Sequence, residues 1–419
     1  MNTPPRIAVV GAGAAGLMSA WLLQEDNDVV VFEAADRPGG HIYTVMVEVG
    51  EHTIPVELGA EFFFEHGYSG LVSLIKRFQI PRKTESLAVS MTLKGRTIQV
   101  PPRTGPALWR CLSPATIRRL YWLRAFGAAA EELVDNKDWS VSVQRLIEQA
   151  NVPSDVATDL IIPLIASSWG VPRALAAELS AYSVVQVMGL RLRHPPHGIT
   201  VEGGLRTYTD ALIADAPRMA LRLGTPAQSI VPVEDGVMVH TAAGPERFDA
   251  VILACDWHNS ATLCARSSHL THWHRAFSSF EDYSAHVAVH RELSFMPRNR
   301  SLWGRSNFTF PPDEEPRTTV WSGFSTKHDV FRTWLGDGES PPPSTTHTAR
   351  YRHIAITPAH HQRQRRLAEL QGTNSVWAVG MYTDGVDNHE SALRSALRVC
   401  ERLTPHAERV QWFAPKVSG

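Results

Sequence analysis

Short apolar runs alternate with glycine-rich and polar segments at the start of the chain. Residues 7–10 (IAVV) are followed by a glycine-rich stretch, residues 11–16, and then by a longer apolar stretch, residues 17–23. Residues 29–32 (VVVF) form a second short apolar run that ends at an acid. Apolar runs of four to eight residues bounded by turn signals are typical of buried strands. The pattern therefore predicts a β-α-β unit.

The rest of the chain alternates between helical and strand patterns. Residues 67–80 have the pattern of an amphipathic helix, residues 88–100 predict a hairpin that turns at Lys94-Gly95, and residues 106–189 are mostly helical in pattern. Residues 221–256 predict a run of short strands, and residues 283–293 predict another. The proline-rich segments 311–316 and 338–346 predict surface loops. The last predicted elements are a helix over 358–370, a strand over 375–379 and a helix over 390–403.

Composition limits the class of protein. A chain of 419 residues is too long for one ordinary core, so two domains are expected. The net charge of −1 gives no sign of a surface for nucleic acid or an anionic membrane. The four cysteines are scattered without framework spacing, and no apolar run approaches the ~18 residues of a membrane span. We expect a soluble, reduced, cytoplasmic protein.

The first turn has the pattern of a dinucleotide site. Gly11, Gly13 and Gly16 lie between the predicted strand and helix as GxGxxG. The first glycine permits the turn, the second lets a pyrophosphate approach the backbone, and the third packs the helix on the sheet. Glu33 ends the second strand, where a carboxylate accepts hydrogen bonds from ribose hydroxyls and disfavours a 2′-phosphate. A glycine turn before a helix is common, but its β-α-β context and Glu33 favour a dinucleotide.

The segments VVGAGAAGL, VFEAADRPGGH and ELGAEFF resemble the FAD-binding signatures of the flavin amine oxidase superfamily. That superfamily includes amine oxidases, desaturases and fatty-acid double-bond isomerases, and the chain looks most like a bacterial subgroup of small FAD-dependent oxidoreductases. TPAQSI (225–230), VILACD (251–256) and the closing segment 376–396 extend the resemblance. The resemblance implies non-covalent FAD, since the closing segment lacks the cysteine that carries covalent flavin in some monoamine oxidases. The residues that it places at the cofactor are Gly11, Ala12, Gly13, Ala15, Gly16, Glu33, Ala34, Arg37, Gly39, Gly40, His41, Gly59, Ala60, Glu61, Ala227, Ala254, Gly380, Met381, His389, Glu390, Ser391 and Ala392.

The sequence departs from the family pattern at one chemically important place. Many flavin amine oxidases carry a lysine on a substrate-domain strand, but the corresponding segment here, DYSAHVAVHREL, has none. It contains His286 and His290 instead, and Lys327 is the only lysine nearby in sequence. This departure weakens the expectation of amine oxidation without excluding it. His41 also stands where the family commonly has an arginine.

Candidates for catalysis and substrate binding each have a structural alternative. His286 and His290 share one face of a predicted strand, so one is a candidate acid or base and both are candidates for structural roles. Trp169 is a candidate wall of the substrate pocket or a core residue, and Phe62 is assigned to the same pocket, although a core position is also expected. Tyr382 follows the presumed flavin segment and is assigned to both catalysis and substrate binding. The histidine pairs 272/274 and 360/361 lack a third ligand, so no metal is expected.

The expected fold is α/β: a discontinuous Rossmann-like FAD-binding domain (1–80, 204–265 and 355–419) and a mixed α+β substrate domain (81–203 and 266–354). The expected function is hydride removal from a C–H bond of a hydrophobic small molecule, as in desaturation. Amine oxidation, redox-neutral double-bond isomerisation and a non-enzymatic lipid-escort role are the alternatives. The substrate, the electron acceptor (O2 or another) and the oligomeric state stay open.

Overall fold

The structure is a computed structural model that describes residues 3–61, 63–65, 67–86, 88–188, 197–336 and 338–417. Its strands, in chain order, are β1 Arg6–Val10, β2 Asp28–Phe32, β3 Thr44–Val49, β4 His52–Glu57, β5 Phe63–Phe64, β6 Arg82–Ser86, β7 Val89–Leu93, β8 Arg96–Val100, β9 His197–Val201, β10 Met219–Arg222, β11 Ser229–Val233, β12 Gly236–Thr241, β13 Gly244–Phe248, β14 Ala250–Leu253, β15 Asp282–His290, β16 Ser306–Phe310, β17 Arg317–Trp321, β18 Phe331–Leu335, β19 His347–Ile354 and β20 Val376–Ala378.

Helices connect and cover these strands. In chain order they are α1 Ala14–Leu23, α2 Ser69–Arg77, α3 Gly105–Cys111, α4 Pro114–Ala129, α5 Glu131–Asp135, α6 Val143–Gln149, α7 Ser154–Val156, α8 Ile162–Trp169, α9 Arg173–Glu178, α10 Ala181–Met188, α11 Arg206–Ala214, α12 Trp257–Cys264, α13 Thr271–Phe277, α14 His360–Leu370, α15 His389–Leu403 and α16 Glu408–Val417. A π-helical turn, Ala157–Ile161, joins α7 to α8. Among the described helices, none has both the length and the apolar composition needed to cross a bilayer.

A parallel five-stranded sheet forms the first layer, in the order β10-β2-β1-β14-β20. After their first residues, strands β1 and β2 are apolar because both faces of this sheet are covered. One face packs against α1 and α15, and the other packs against a three-stranded antiparallel sheet, β11-β12-β13. Helix α1 is buried along its length between the parallel sheet and α15. The predicted β-α-β unit is therefore confirmed, and with it the α/β, Rossmann-like fold class.

A mixed seven-stranded sheet is formed by two separate parts of the chain, in the order β19-β15-β18-β17-β16-β7-β8. The predicted hairpin at Lys94-Gly95 is its β7–β8 pair. Its strands all come from within 81–203 and 266–354, and the strands of the parallel sheet all come from the other ranges of the expected division. The division into a cofactor domain and a substrate domain stays a prediction.

A buried carboxyl group holds the β3–β4 hairpin against the segment before α11. Glu57, the last residue of β4, accepts a hydrogen bond from the Leu205 N–H at 2.6 Å and another from the Thr44 hydroxyl at 3.0 Å. Burial raises the pKa of Glu57 from its ordinary 4.5 to about 7, although both hydrogen bonds act in the opposite direction. Glu57 is therefore a buried acid that titrates near neutral pH.

We predict that Glu57→Gln removes one pH-dependent part of the stability. Between pH 4.5 and about 7 the folded protein keeps the Glu57 proton whereas the unfolded chain releases it, so the contribution of Glu57 falls as pH rises through this window. Urea unfolding at several pH values should show wild type losing on the order of 3 kcal/mol relative to the variant between about pH 5 and pH 8. A difference between the two proteins that does not change with pH would contradict this assignment.

Candidate active site

A cavity of about 1260 Å³ begins at the carboxyl ends of β1, β2 and β14 and reaches the seven-stranded sheet. Pockets for a single small molecule usually have about 300–1,000 Å³. The exposed residues that line it come from several segments: Ala34, Gly40, Arg124, Ala128, Glu131, Pro226, Gln228, Asn259, Thr262 and Arg352. The volume suits a long cofactor and a separate substrate.

The first glycine turn forms the floor of one half of the cavity. Gly11 has φ +109°, and a Cβ on Gly16 would lie 1.9 Å from the Gly11 carbonyl oxygen, so the backbone itself requires glycine at both positions. Gly13 differs, because its φ is −73° and a Cβ there would meet nothing within 4 Å. Gly13 is the N-cap of α1, so unpaired N–H groups of the first helical turn lie beside this open space.

A second glycine segment lies against the first. The Gly39 N–H donates to the Ala12 carbonyl oxygen at 2.8 Å, and a Cβ on Gly40 would lie 3.1 Å from the Gly13 Cα. The Glu33 carboxylate accepts hydrogen bonds from the backbone N–H groups of Ala12 at 2.7 Å and Ala35 at 2.9 Å. The acid is thus fixed at the end of β2, at the edge of the cavity.

Arg37 lies behind this loop and does not line the cavity. Its guanidinium donates to the Gly40 carbonyl oxygen at 3.2 Å and stacks 3.7 Å from the centre of the Tyr43 ring. Ala12 and Gly16 also lie outside the lining, whereas Ala15 and Ala34 belong to it. Ala12, Gly16 and Arg37 therefore contribute to the shape of the loops, whereas Ala15 and Ala34 contribute surface to the cavity.

Residues 59–61 form a third wall, which is tied to the seven-stranded sheet. A Cβ on Gly59 would lie 1.9 Å from the His41 carbonyl oxygen, so two backbone segments are in direct contact there. Glu61 forms ion pairs at 2.8 Å with Arg305 and at 2.8 Å with Arg332, and all three side chains are largely buried. Arg332 also donates to the Gly59 carbonyl oxygen at 2.9 Å. Gly59, Ala60 and Glu61 all line the cavity.

The closing segment brings a helix N-terminus to the cavity. Gly380, Met381, His389 and Ala392 line it, and Asn388 caps α15 by accepting from the Ser391 N–H at 2.8 Å. Burial lowers the pKa of His389 to about 4, so the imidazole that begins α15 is neutral at physiological pH. It forms a hydrogen bond of 2.7 Å with the Tyr208 hydroxyl.

Glu390 and Ser391 point away from the cavity lining. The Glu390 carboxylate accepts from the backbone N–H groups of Gly70 at 2.6 Å and Leu71 at 3.1 Å, and therefore caps the N-terminus of α2. The Ser391 hydroxyl donates to the Val386 carbonyl oxygen at 2.6 Å. The structure thus gives both side chains hydrogen bonds within the protein and not a surface in the cavity.

Four of the other residues expected at the cofactor or the substrate line the cavity. They are Ala227, Ala254, Trp169 and Tyr382. The Tyr382 hydroxyl donates to the Cys255 carbonyl oxygen at 3.2 Å, and burial raises its pKa well above the ordinary value. Its hydroxyl is therefore engaged by the protein, and the ring supplies apolar surface. Phe62 lies outside the described residues.

His286 and His290 lie on β15 and outside the cavity lining. His290 is fully buried, with Nε2 2.7 Å from the Thr333 hydroxyl and Nδ1 accepting from the Glu292 N–H at 3.1 Å. Burial lowers its pKa to about 4. The hydrogen bonds of His290 support a structural role for it. Neither His286 nor His290 lines the cavity.

Lys327 also lies outside the cavity lining. It is exposed, and its ammonium group packs 4.3 Å from the centre of the Phe324 ring. Among the described residues that line the cavity there is no lysine. The described residues likewise contain no group of three or more His, Cys, Asp and Glu side chains with the arrangement of a metal site.

The structure brings together a group of polar and aromatic residues that the sequence did not single out. We call it the His353 corner, and its members are His41, Tyr283, Trp334, His353 and Asp387, which all line the cavity. His353 stacks on Tyr283 with ring centres 5.6 Å apart, and its Nδ1 lies 3.8 Å from an Asp387 carboxylate oxygen. Burial, together with the nearby His353, lowers the pKa of His41 to about 3, so His41 is neutral.

An apolar wall continues from this corner toward Arg124, Ala128 and Glu131. The Tyr283 hydroxyl donates to the Trp169 carbonyl oxygen at 2.9 Å and so connects the corner to the wall. We define the apolar wall as these lining residues of β7, β8, α4, α8, α10 and β16: Val89, Met91, Val100, Leu120, Leu123, Leu164, Trp169, Val187, Met188 and Phe308.

The half of the cavity that is lined by the glycine segments, which we call the glycine-rich half, fits a flavin dinucleotide. The apolar wall leaves room for a second molecule. The fit depends on the open space at Gly13, the helix N-termini of α1 and α15, and the carboxylate at the end of β2. Comparisons with known proteins agree with it. The family described as flavin containing amine oxidoreductase matches residues 14–295.

Individual relatives either match only a short part of this chain or share little sequence identity with it. Tryptophan 2-monooxygenase of Pseudomonas savastanoi is 36% identical over 86 residues, which cover 20% of this chain and 15% of that enzyme, so the match spans a small part of that relative. Cyclohexylamine oxidase of Brevibacterium oxydans is 15% identical with a TM-score of 0.69, covering 96% of this chain and 99% of that one. The CLA-producing fatty acid isomerase of P. acnes is 12% identical with a TM-score of 0.69, covering 96% of this chain and 100% of that one. These two structures show a shared fold.

We predict that Gly13→Ala weakens FAD binding while leaving the fold intact. The new methyl group fits the apoprotein without a clash and projects into the space expected for the pyrophosphate. The dissociation constant for FAD, measured by fluorescence titration of the apoprotein, should rise at least about tenfold, with no change in apoprotein Tm.

Gly105→Ala is the matched control. Gly105 also has open space around the position of a Cβ, but it lies at the start of α3 and outside the cavity lining. Its FAD affinity should equal that of wild type. Equal affinity in both variants would mean that the cofactor does not lie against Gly13.

Proposed function

The chain belongs to the flavin containing amine oxidoreductase family, and we propose that it removes a hydride from a C–H bond of a hydrophobic small molecule. The observation that carries the proposal is the apolar wall, which leads to one histidine–carboxylate pair. A long apolar chain would be stabilised against this wall by burial of its own apolar surface. Desaturation of such a chain is the reaction that this arrangement suits best.

The glycine-rich half of the cavity has the chemical groups that FAD binding requires. Glu33 would accept hydrogen bonds from the adenosine ribose, Gly13 and Gly40 would leave room for the pyrophosphate, and α15 would present its N-terminus to the flavin. Bound FAD supplies an acceptor for two electrons. The neutral imidazoles of His41 and His389 leave the positive end of the α15 dipole as a source of stabilisation for negative charge.

Desaturation also requires that a proton leave the carbon next to the one that loses the hydride, so that the carbon–carbon double bond forms. His353 is the residue that we propose for this proton. It is partly buried, lies in the cavity, and has an acidic neighbour in Asp387 that would stabilise the imidazolium after proton transfer. Tyr283 stacks on one face of the ring and would hold its orientation.

Amine oxidation is the second candidate. Tyr283 and Trp334 supply aromatic faces, and Asp387 supplies a carboxylate, in the part of the cavity where an amine would bind. Hydride removal from a neutral amine gives an iminium ion directly, without the loss of a proton from carbon. The two candidates therefore differ in their need for His353.

We predict that the purified protein carries FAD, close to one per chain, and that long-chain acyl substrates bleach its flavin absorption under anaerobic conditions. Because the wall is apolar, bleaching rates should rise with chain length. Mass spectrometry of the product then separates the reactions. A product that lacks a pair of hydrogens, with the flavin left reduced, supports desaturation. A product of unchanged mass, with the flavin returned to its oxidised form, supports isomerisation. Bleaching by amines alone would refute the proposal in favour of amine oxidation. A protein that cannot be loaded with FAD would point to a binding role.

We predict that His353→Gln lowers the rate of flavin reduction by an acyl substrate about 10²–10⁴-fold, because the proton acceptor is removed. His286→Gln is the control, since His286 lies outside the cavity lining. A His353→Gln enzyme with the rate of wild type would exclude His353 as the base.

A further inference from the structure

Large apolar side chains are concentrated on the surface of two consecutive helices. Leu108, Trp109, Leu112, Ile117 and Tyr121, which we call the α3–α4 patch, are 47%, 75%, 52%, 53% and 62% exposed. The described residues have only four other large apolar side chains with comparable exposure, and these are Met46, Leu223, Val233 and Leu293. Such a concentration on a globular surface indicates an interaction site.

The patch leads to the exposed end of the apolar wall. Ile117, Tyr121, Arg124 and Ala128 follow one another at i, i+4, i+7 and i+11 on α4, and therefore lie along one side of the helix. Arg124 and Ala128 line the cavity and are exposed, whereas Ile117 and Tyr121 belong to the patch. One stripe of α4 thus runs from the surface patch to exposed residues that line the cavity.

The segment that carries the patch is rich in cations and is followed by two acids, Glu131 and Glu132. Residues 86–130 contain Lys94, Arg96, Arg103, Arg110, Arg118, Arg119 and Arg124 and no aspartate or glutamate. Arg118 is paired with Asp155 at 2.7 Å and Lys94 with Asp159 at 2.6 Å. Within the part of the chain that the structure describes, Arg119 and Arg124 make no ion pair. The overall charge of −1 conceals this basic region.

We propose that the α3–α4 patch docks on an anionic lipid bilayer, with the cavity opening toward the membrane. Trp109 and Tyr121 are the residue types that prefer the level of the lipid head groups, leucine and isoleucine side chains insert more deeply, and arginines attract anionic head groups. A second protein copy would not require the excess of arginine. Docking does not depend on the reaction, but the delivery of a lipid-derived substrate to the cavity rests on the proposed function.

The test is cosedimentation of the full-length, FAD-loaded protein with vesicles of phosphatidylcholine and phosphatidylglycerol, and with vesicles of phosphatidylcholine alone. Wild type should bind the anionic vesicles more tightly, and added salt should weaken the binding. Ile117→Ser combined with Tyr121→Ser should lower the partition coefficient at least about tenfold. Arg119→Gln combined with Arg124→Gln should remove the preference for anionic lipid.

Leu293→Ser is the matched control, because Leu293 is 53% exposed, as Ile117 is, but lies outside α3 and α4. It should bind vesicles as wild type does. Flavin content and Tm, measured for every variant, show that the variants are folded. The proposal is overturned if wild type does not bind anionic vesicles, or if the Ile117/Tyr121 variant binds as wild type does. It is also overturned if size-exclusion chromatography shows a lipid-free dimer that the patch substitutions dissociate, since the patch would then join two copies.

Discussion

The buried ion cluster of Glu61, Arg305 and Arg332 holds together the two sides of the cavity. Glu61 belongs to residues 59–61, which line the cavity beside the other glycine segments. Arg332 lies on β18 of the seven-stranded sheet, and Arg305 immediately precedes β16. Removing one partner of a buried ion pair commonly costs about 3–5 kcal/mol, because the remaining charge is left buried without compensation. This cluster therefore fixes the distance between the glycine segments and the sheet that carries His353 and Trp334.

The local parts of this architecture could be predicted from the sequence. The glycine turn, β2 and the acid at its end lie within 28 residues, from 6 to 33, so their pattern identifies them without knowledge of any distant contact. The same holds for the β7–β8 hairpin and for α15. The predicted placement of Gly40, Gly59 and Ala227 at the same cofactor as Gly13 depended on a resemblance, and their functional roles stay proposals.

The His353 corner could not be predicted in this way. His353 belongs to β19 and pairs with Tyr283 of β15, which is distant in sequence, and Asp387 comes from the loop before α15. Only the register of that pairing decides which side of β19 faces the cavity. Glu390 was misleading for a related reason: its position in the closing motif suggests the cofactor, but in three dimensions its nearest partners are the N–H groups of Gly70 and Leu71.

The contrast between Gly13 and Gly16 separates two kinds of selection on one motif. A side chain at Gly16 would collide with the polypeptide itself, so the packing of α1 on the first turn requires glycine there. A side chain at Gly13 would touch no protein atom, and only a bound ligand could exclude it. In a lineage that had abandoned its cofactor, Gly13 would be free to drift while Gly16 was retained. The residue at Gly13 is therefore a marker of cofactor use that is independent of the fold.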